Sequence, residues 1–101
     1  MSRVGNVYKL KRPCLNNKQG VRGVCFYDYG DGFQVIFPNG KYDGFSSIGD
    51  SFGGTGQTEA DFILEQVGHD SASANYEFKH VIQVERDLKA GRWNWKRIGE
   101  I

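Results

Sequence analysis

Two glycine turns within one stretch, Gly20 to Phe45, restrict this chain more than any other feature. The stretch reads GVRGVCFYDYGDGFQVIFPNGKYDGF. Val21, Val24, Phe26 and Tyr27 form one run of β-branched and aromatic residues, and Phe33, Val35, Ile36 and Phe37 form a second. Such residues suit a pleated, half-buried surface. Between the runs, Tyr29-Gly30-Asp31-Gly32 contains an Asp-Gly pair, which supplies the positive φ angles of a tight hairpin. Pro38 has no N–H to give to a ladder and ends the second strand. Asn39-Gly40 then reverses the chain into Lys41–Phe45. Alternation places Phe33, Val35 and Phe37 on one face and Gln34 and Ile36 on the other. A three-stranded meander this short needs a further strand or helix over its apolar face.

With 101 residues the chain has room for one modest core, so a single domain over 1–101 is expected. Its 14 glycines and 14% aromatic content, with frequent turns, favour a small β-barrel or sandwich. No apolar run approaches the ~20 residues that span a bilayer. The N-terminal MSRVGNVYKL lacks the apolar centre of a signal peptide. The expectation is therefore a cytoplasmic protein with no membrane partner. Cys14 and Cys25 match no zinc spacing and are too few for a disulfide framework. Two reduced thiols are expected, Cys25 in a strand and Cys14 in a loop.

The net charge of +1 is unremarkable, but its distribution is uneven. Arg3, Lys9, Lys11, Arg12, Lys18 and Arg22 give residues 1–27 a charge of +6 with no acid. Residues 28–77 carry Lys41 against nine acids, −8, and residues 78–101 return to +3. If the first and last strands are neighbours, the two basic ends merge into one positive face.

Along the rest of the chain, residues 4–11 form a first strand, with Val7 and Leu10 pointing inward. Arg12-Pro13 ends it, and a polar loop runs through Asn16–Gly20. Residues 46–57 are Gly-rich and irregular. Thr58 and Asp61 then resemble a capping pair. Ala60, Ile63, Leu64 and Val67 share one helical face, and Gly68 stands where a C-cap glycine belongs. A helix over 59–67 is the expectation; a strand over 62–67 is the alternative, because FILEQV is also a short apolar run. Tyr76–Glu85 alternates as a strand, Asp87–Gly91 forms a tight turn or 3₁₀ segment, and Arg92–Ile98 forms a last strand with Trp93 and Trp95 on one face.

This order of elements is similar to that of SH3-like small barrels. Gly20-x-x-Gly23-Val24 entering a strand, then Phe33-x-Val35-x-Phe37-x-x-Gly40, resembles the meander of Tudor, KOW and other SH3-like domains. Asp87–Gly91 before Trp93 resembles the 3₁₀ turn ahead of their closing strand. The resemblance implies a mainly β, SH3-like barrel of five to six antiparallel strands with a short helical insertion at about 46–75. It also implies a groove of aromatic rings between the first long loop and the meander turns. Fold alone carries no function.

The residues contain no nucleophile–base pair, so an enzyme is not expected. The serines have no nucleophile-elbow context. His80 lies on the apolar parity of its strand, and His69 and Asp70 with Glu65 make a weak metal set. No metal or cofactor is expected. The loop Phe52-Gly53-Gly54-Thr55 offers backbone amides ahead of a helix, but lacks the Lys of a Walker A motif. Phe26, Phe33, Val35, Phe37 and Phe78 are expected in the core. Tyr27, Tyr29, Tyr42, Phe45, Trp93 and Trp95 are the candidate interface rings, because such side chains bury much area with few rotatable bonds. Arg22, Arg92 and Lys96 flank them. The function expected is non-enzymatic binding of a host macromolecule, with modulation or inhibition, as a phage or mobile-element protein. A protein partner comes first. A nucleic-acid-binding barrel using the basic ends, with Trp93 or Trp95 stacking on bases, is the alternative. A small anionic ligand held under the Gly-rich loop is the third.

Overall fold

The Asp-Gly and Asn-Gly turns set the centre of the fold. In the first, the positive φ, +94°, falls on Gly30 and not on the Asp31-Gly32 pair, which leads into β3, and the Tyr29 N–H donates to the Gly32 carbonyl at 2.7 Å. In the second, Gly40 takes φ +84° and the Phe37 N–H donates to the Lys41 carbonyl at 3.0 Å. The computed structural model describes residues 2–47, 59–73, 86 and 94–101. The strand expected over Tyr76–Glu85, the turn at Asp87–Gly91, and His80, Phe78, Arg92, Trp93 and the Gly-rich loop lie outside the described residues.

The described elements are β1 (Asn6–Leu10), β2 (Arg22–Asp28), β3 (Gly32–Ile36), β4 (Tyr42–Ser46), α1 (Glu59–Ile63), β5 (Leu64–His69) and α2 (Trp95–Gly99). The five strands form one antiparallel sheet in the order β4-β3-β2-β1-β5. The protein is thus mainly β, with two short helices, α1 and α2, among the elements of the described residues.

Both faces of the sheet are apolar, as the parity of β3 requires. On one face lie Tyr8, Leu10, Cys25, Phe33, Val35 and Phe37, closed by Ala60 and Ile63 of α1 and by Leu64. On the other lie Val7, Val24, Phe26 and Ile36, closed by Ile98 of α2. Val7 and Leu10 are both buried, although on opposite faces. Cys14 and Cys25 are both free thiols, the second fully buried. Burial pushes the Cys25 thiol up to about 12, so it stays protonated and unreactive.

One extra residue in β2 changes what the hairpin presents. Cys25 pairs with Val35, but Tyr27 pairs with Gln34, so Phe26 is a bulge. Regular pairing would set Tyr27 opposite Phe33 on the α1 face. The bulge reverses the parity beyond it. Tyr27 is carried to the α2 face, and Asp28 to the face of Phe33.

Three expectations are corrected. First, the segment 59–67 is neither all helix nor all strand. The helix stops at Ile63 and β5 begins at Leu64. The exposed backbone of β1 offers a ladder to Phe62–Val67 residues that also suit a strand, and pairing outcompetes a short isolated helix. Within the stretch 46–75, Leu64–His69 is accordingly a strand of the sheet. Second, Gly68 is not a C-cap; it pairs with Val7, and a Cβ there would run into the Ile101 side chain. Third, the end of the chain is not a strand over Arg92–Ile98. Asn94 caps a helix, its side-chain oxygen accepting from the Arg97 N–H at 3.0 Å. Asn is among the strongest N-cap residues, and the Trp-x-Trp alternation concealed that signal.

Candidate binding surface

Tyr27 and Tyr29 sit at the turn end of β2, on the α2 face of the sheet. They are 37% and 52% exposed, the large apolar side chains most open to solvent among the described residues. Their rings touch, with centroids 4.7 Å apart and planes inclined by 48°. Gln34 lies beside them, its Nε2 donating to the Tyr29 hydroxyl. The other amide atom, Gln34 Oε1, is buried and has no hydrogen-bond partner among the described residues. A buried polar atom without a partner is unusual. Gly44 of β4 pairs with Gln34 and adds no side chain, which leaves that side of the patch open.

The other expected interface residues divide. Tyr42 is half-buried and meets Phe26 edge-on, ring centroids 5.5 Å apart. Trp95 and Tyr42 both pack against the apolar cluster under α2. Lys96 is exposed on the same helix. Arg22 is held by its Nε donating to the Ile101 carbonyl at 2.8 Å. Phe45 is corrected: it is only 3% exposed and packs against Phe33 on the opposite, α1 face, because its parity in β4 matches Val35 and Phe33. Trp93, Arg92 and the loop residues Phe52, Gly53, Gly54 and Thr55 lie outside the described residues.

The α1 face holds a cleft of about 330 Å³ that the sequence did not indicate, lined by Arg3, Tyr8, Phe33, Ser47, Asp61 and Gln66 among others. Tyr8 and Phe33 stack as its floor, 5.0 Å between centroids, and the Arg3 guanidinium lies 5.1 Å from the Phe33 ring. Arg3 is not a spare cation, however. Its N–H and its Nη1 donate to the two Asp28 oxygens at 2.7 and 2.8 Å. Asp28 thus offsets the Arg3 charge in the cleft wall. Burial raises the Tyr8 hydroxyl above its ordinary value, which keeps it protonated.

Among the described residues the basic side chains are dispersed; Lys79, Lys89 and Arg92 lie outside the described residues. The neighbours of β1 are β2 and the acidic β5. Lys9 meets Glu65 at 3.6 Å, and Arg97 grips Asp70 with two hydrogen bonds of 3.1 Å. His69 Nδ1 is bonded to Asn6 at 2.9 Å. Glu65, His69 and Asp70 thus each have other partners, and among the described residues no three metal-ligating side chains converge.

Two carboxylates carry a pH signature. Burial alone would raise Asp28 and Asp70. For Asp28 this is outweighed by the Arg3 and Gly30 N–H groups and the Arg3 guanidinium; for Asp70 it is outweighed by the Ser73 hydroxyl and Arg97. Both are held below the ordinary carboxylate range. A lowered folded value stabilises the fold above the unfolded value, ~4, and that stability disappears as pH falls through the folded value. The melting temperature should be level from about pH 5 to 7 in these terms and drop below about pH 4. Circular dichroism melts of wild type and an Asp28→Asn, Asp70→Asn pair check this: the double variant should melt lower near neutrality and lose less on acidification.

No known protein family, curated protein or solved structure matches the chain. Among the described residues no helix is long and apolar enough to cross a membrane.

Proposed function

We propose that this chain is a non-enzymatic binding module whose recognition surface is the Tyr27–Tyr29–Gln34 patch, with a protein as its partner. The observation that carries this is the exposed, touching tyrosine pair beside a buried Gln34 oxygen that has no donor among the described residues. Tyrosines with a wet hydroxyl and an apolar ring are typical interface anchors. An incoming N–H or O–H completes Gln34, and a partner that leaves it empty forfeits about 1–3 kcal/mol. The engagement of Arg3, Arg22, Lys9 and Arg97 with acids or carbonyls favours a protein over a nucleic acid.

The fold we propose is an SH3-like barrel. It is supported by the β2–β3–β4 meander, by a helical turn directly ahead of a later strand, and by the pairing of that strand with β1. The 3₁₀ turn expected at Asp87–Gly91 lies outside the described residues. In this reading the module docks on another macromolecule and modulates or inhibits it, as small phage or mobile-element proteins do.

The test is capture from lysate, with and without nuclease, by wild type and by a Tyr27→Ser, Tyr29→Ser variant of unchanged circular dichroism. The expected result is a nuclease-resistant protein partner held at least ~30-fold more weakly by the variant, as loss of a hot-spot pair implies. Equal capture by the two proteins sinks the patch. Capture that vanishes with nuclease replaces the protein partner with nucleic acid.

A further inference from the structure

The loop between β1 and β2 contains a two-residue hairpin turn of its own. The Cys14 N–H donates to the Asn17 carbonyl at 3.0 Å, and the Asn17 N–H donates to the Cys14 carbonyl at 2.8 Å. The central residues, Leu15 and Asn16, take φ 52° and 62°. Positive φ at both central positions defines a type I′ turn, which favours Asn-Gly. Leucine is a costly occupant of the left-handed region, so its surroundings must hold it there. Two amides do so. Asn17 Nδ2 and Asn39 Nδ2 both donate to the Leu15 carbonyl, at 3.2 and 2.9 Å. Asn39 belongs to the turn after β3. Its Oδ1 accepts from Asn17 Nδ2 at 3.3 Å and from the Lys41 N–H at 3.1 Å. One side chain therefore ties two turns together, and Cys14 and Leu15 pack against the core of the α1 face.

Asn39 is also the only asparagine of the chain followed by glycine. Asparagine is a thermolabile residue, and most so here, because no side chain shields the glycine nitrogen. That nitrogen loses its proton and attacks Asn39 Cγ. The bond from Cγ to Nδ2 breaks and ammonia leaves. Water then opens the cyclic imide to aspartate or isoaspartate. In the closed turn the Gly40 N–H donates to the Phe37 carbonyl at 2.9 Å, and the Asn39 amide is fixed at both its nitrogen and its oxygen. The reaction therefore proceeds only from local openings. We propose that Asn39 is a modification site, a one-way latch whose hydrolysis by water frees the strained Cys14–Asn17 turn. In aspartate an oxygen replaces Nδ2 opposite the Leu15 carbonyl, so a hydrogen bond of 2.9 Å becomes a repulsion. In isoaspartate the main chain is one atom longer and the turn loses its geometry. Neither product closes the clasp again. Leu15 then leaves the left-handed region, and Cys14, half-buried while the clasp holds, opens to solvent.

The test ages wild type at mildly alkaline pH beside the same chain in guanidinium chloride. Conversion at Asn39 is followed by peptide mass spectrometry, and converted protein, which carries one more negative charge, is separated by ion exchange. Asn39 should convert in the native protein, at least tenfold more slowly than in the denatured chain. Asn17→Ala deletes two bonds of the clasp and should narrow that gap at least threefold. In converted protein, and in Asn39→Asp made directly, Cys14 should react with a thiol reagent at least tenfold faster than in fresh wild type. The Cys14 and Asn17 amides should exchange at least tenfold faster, while the fully buried Cys25 stays unreactive. With Leu15→Gly added, the effect of Asn39→Asp should shrink to threefold or less, because glycine needs no clasp at positive φ. Native protein whose Asn39 stays intact after the denatured chain has converted fully overturns the proposal. So does converted protein whose Cys14 reacts as in fresh wild type, or an effect of Asn39→Asp that Leu15→Gly leaves unchanged. Cys25 reacting in step with Cys14 marks global unfolding and overturns it as well.

Discussion

Gly23→Ala is expected to destabilise the protein by about 2–3 kcal/mol, as overpacking a tight core does. Gly23 pairs with Tyr8, and the fully buried Phe37 ring lies across it. A Cβ at Gly23 would stand 2.7 Å from the Ile36 carbonyl oxygen and 2.7 Å from two atoms of the Phe37 ring. Neither neighbour yields easily: the carbonyl belongs to a central strand, and the ring has core on every other side. Gly44→Ala is the matched control, because its nearest non-adjacent atom, Gln34 Cγ, is 4.0 Å away. It should cost no more than about 0.5 kcal/mol. Urea unfolding of the two variants decides the matter. Equal midpoints would mean that Phe37 does not use Gly23 as its seat.

Ile98→Ala is expected to cost about 3 kcal/mol, a large value for a residue in a five-residue helix near the end of the sequence. A helix that short has almost no stability of its own. Its order comes from the fully buried Ile98, which closes Val7, Val24, Phe26 and Ile36, and from the paired bonds of Arg97 to Asp70. Lys96→Ala on the exposed side of α2 should be within about 0.5 kcal/mol of wild type. A loss below 1 kcal/mol at Ile98, on the same urea curves, would mean that α2 is not the lid of this face.

Much of the fold was legible because the signals were local. The two glycine-rich reversals were legible in the sequence, although the positive φ falls on Gly30, ahead of the Asp31-Gly32 pair, and on Gly40. The period of two in Phe33–Phe37 assigned Phe33, Val35 and Phe37 to one face and Ile36 to the other, as observed. Val7, Leu10 and Cys25 were legible as buried from their apolar character within strands, although Val7 and Leu10 lie on opposite faces. The exposure of Tyr27 and Tyr29 was expected from their polar neighbours at a turn.

Tertiary structure decided the rest, where two local solutions were close in energy or where parity depended on a partner strand. Leu64–Val67 fitted a helix and a strand alike; the open backbone of β1 selected the strand. Asn94–Ile98 fitted both as well; the apolar face left uncovered by β1 to β3 drew Ile98 in as a helix. Phe45 carried no local mark of burial, and only its register against Phe33 placed it inside. The Phe26 bulge is a property of pairing between β2 and β3 and leaves no trace in the order of residues. By that one inserted residue Tyr27 is outside the core. Sequence determined that Tyr27 and Tyr29 stand beside a turn; the register of two neighbouring strands determined which way Tyr27 faces.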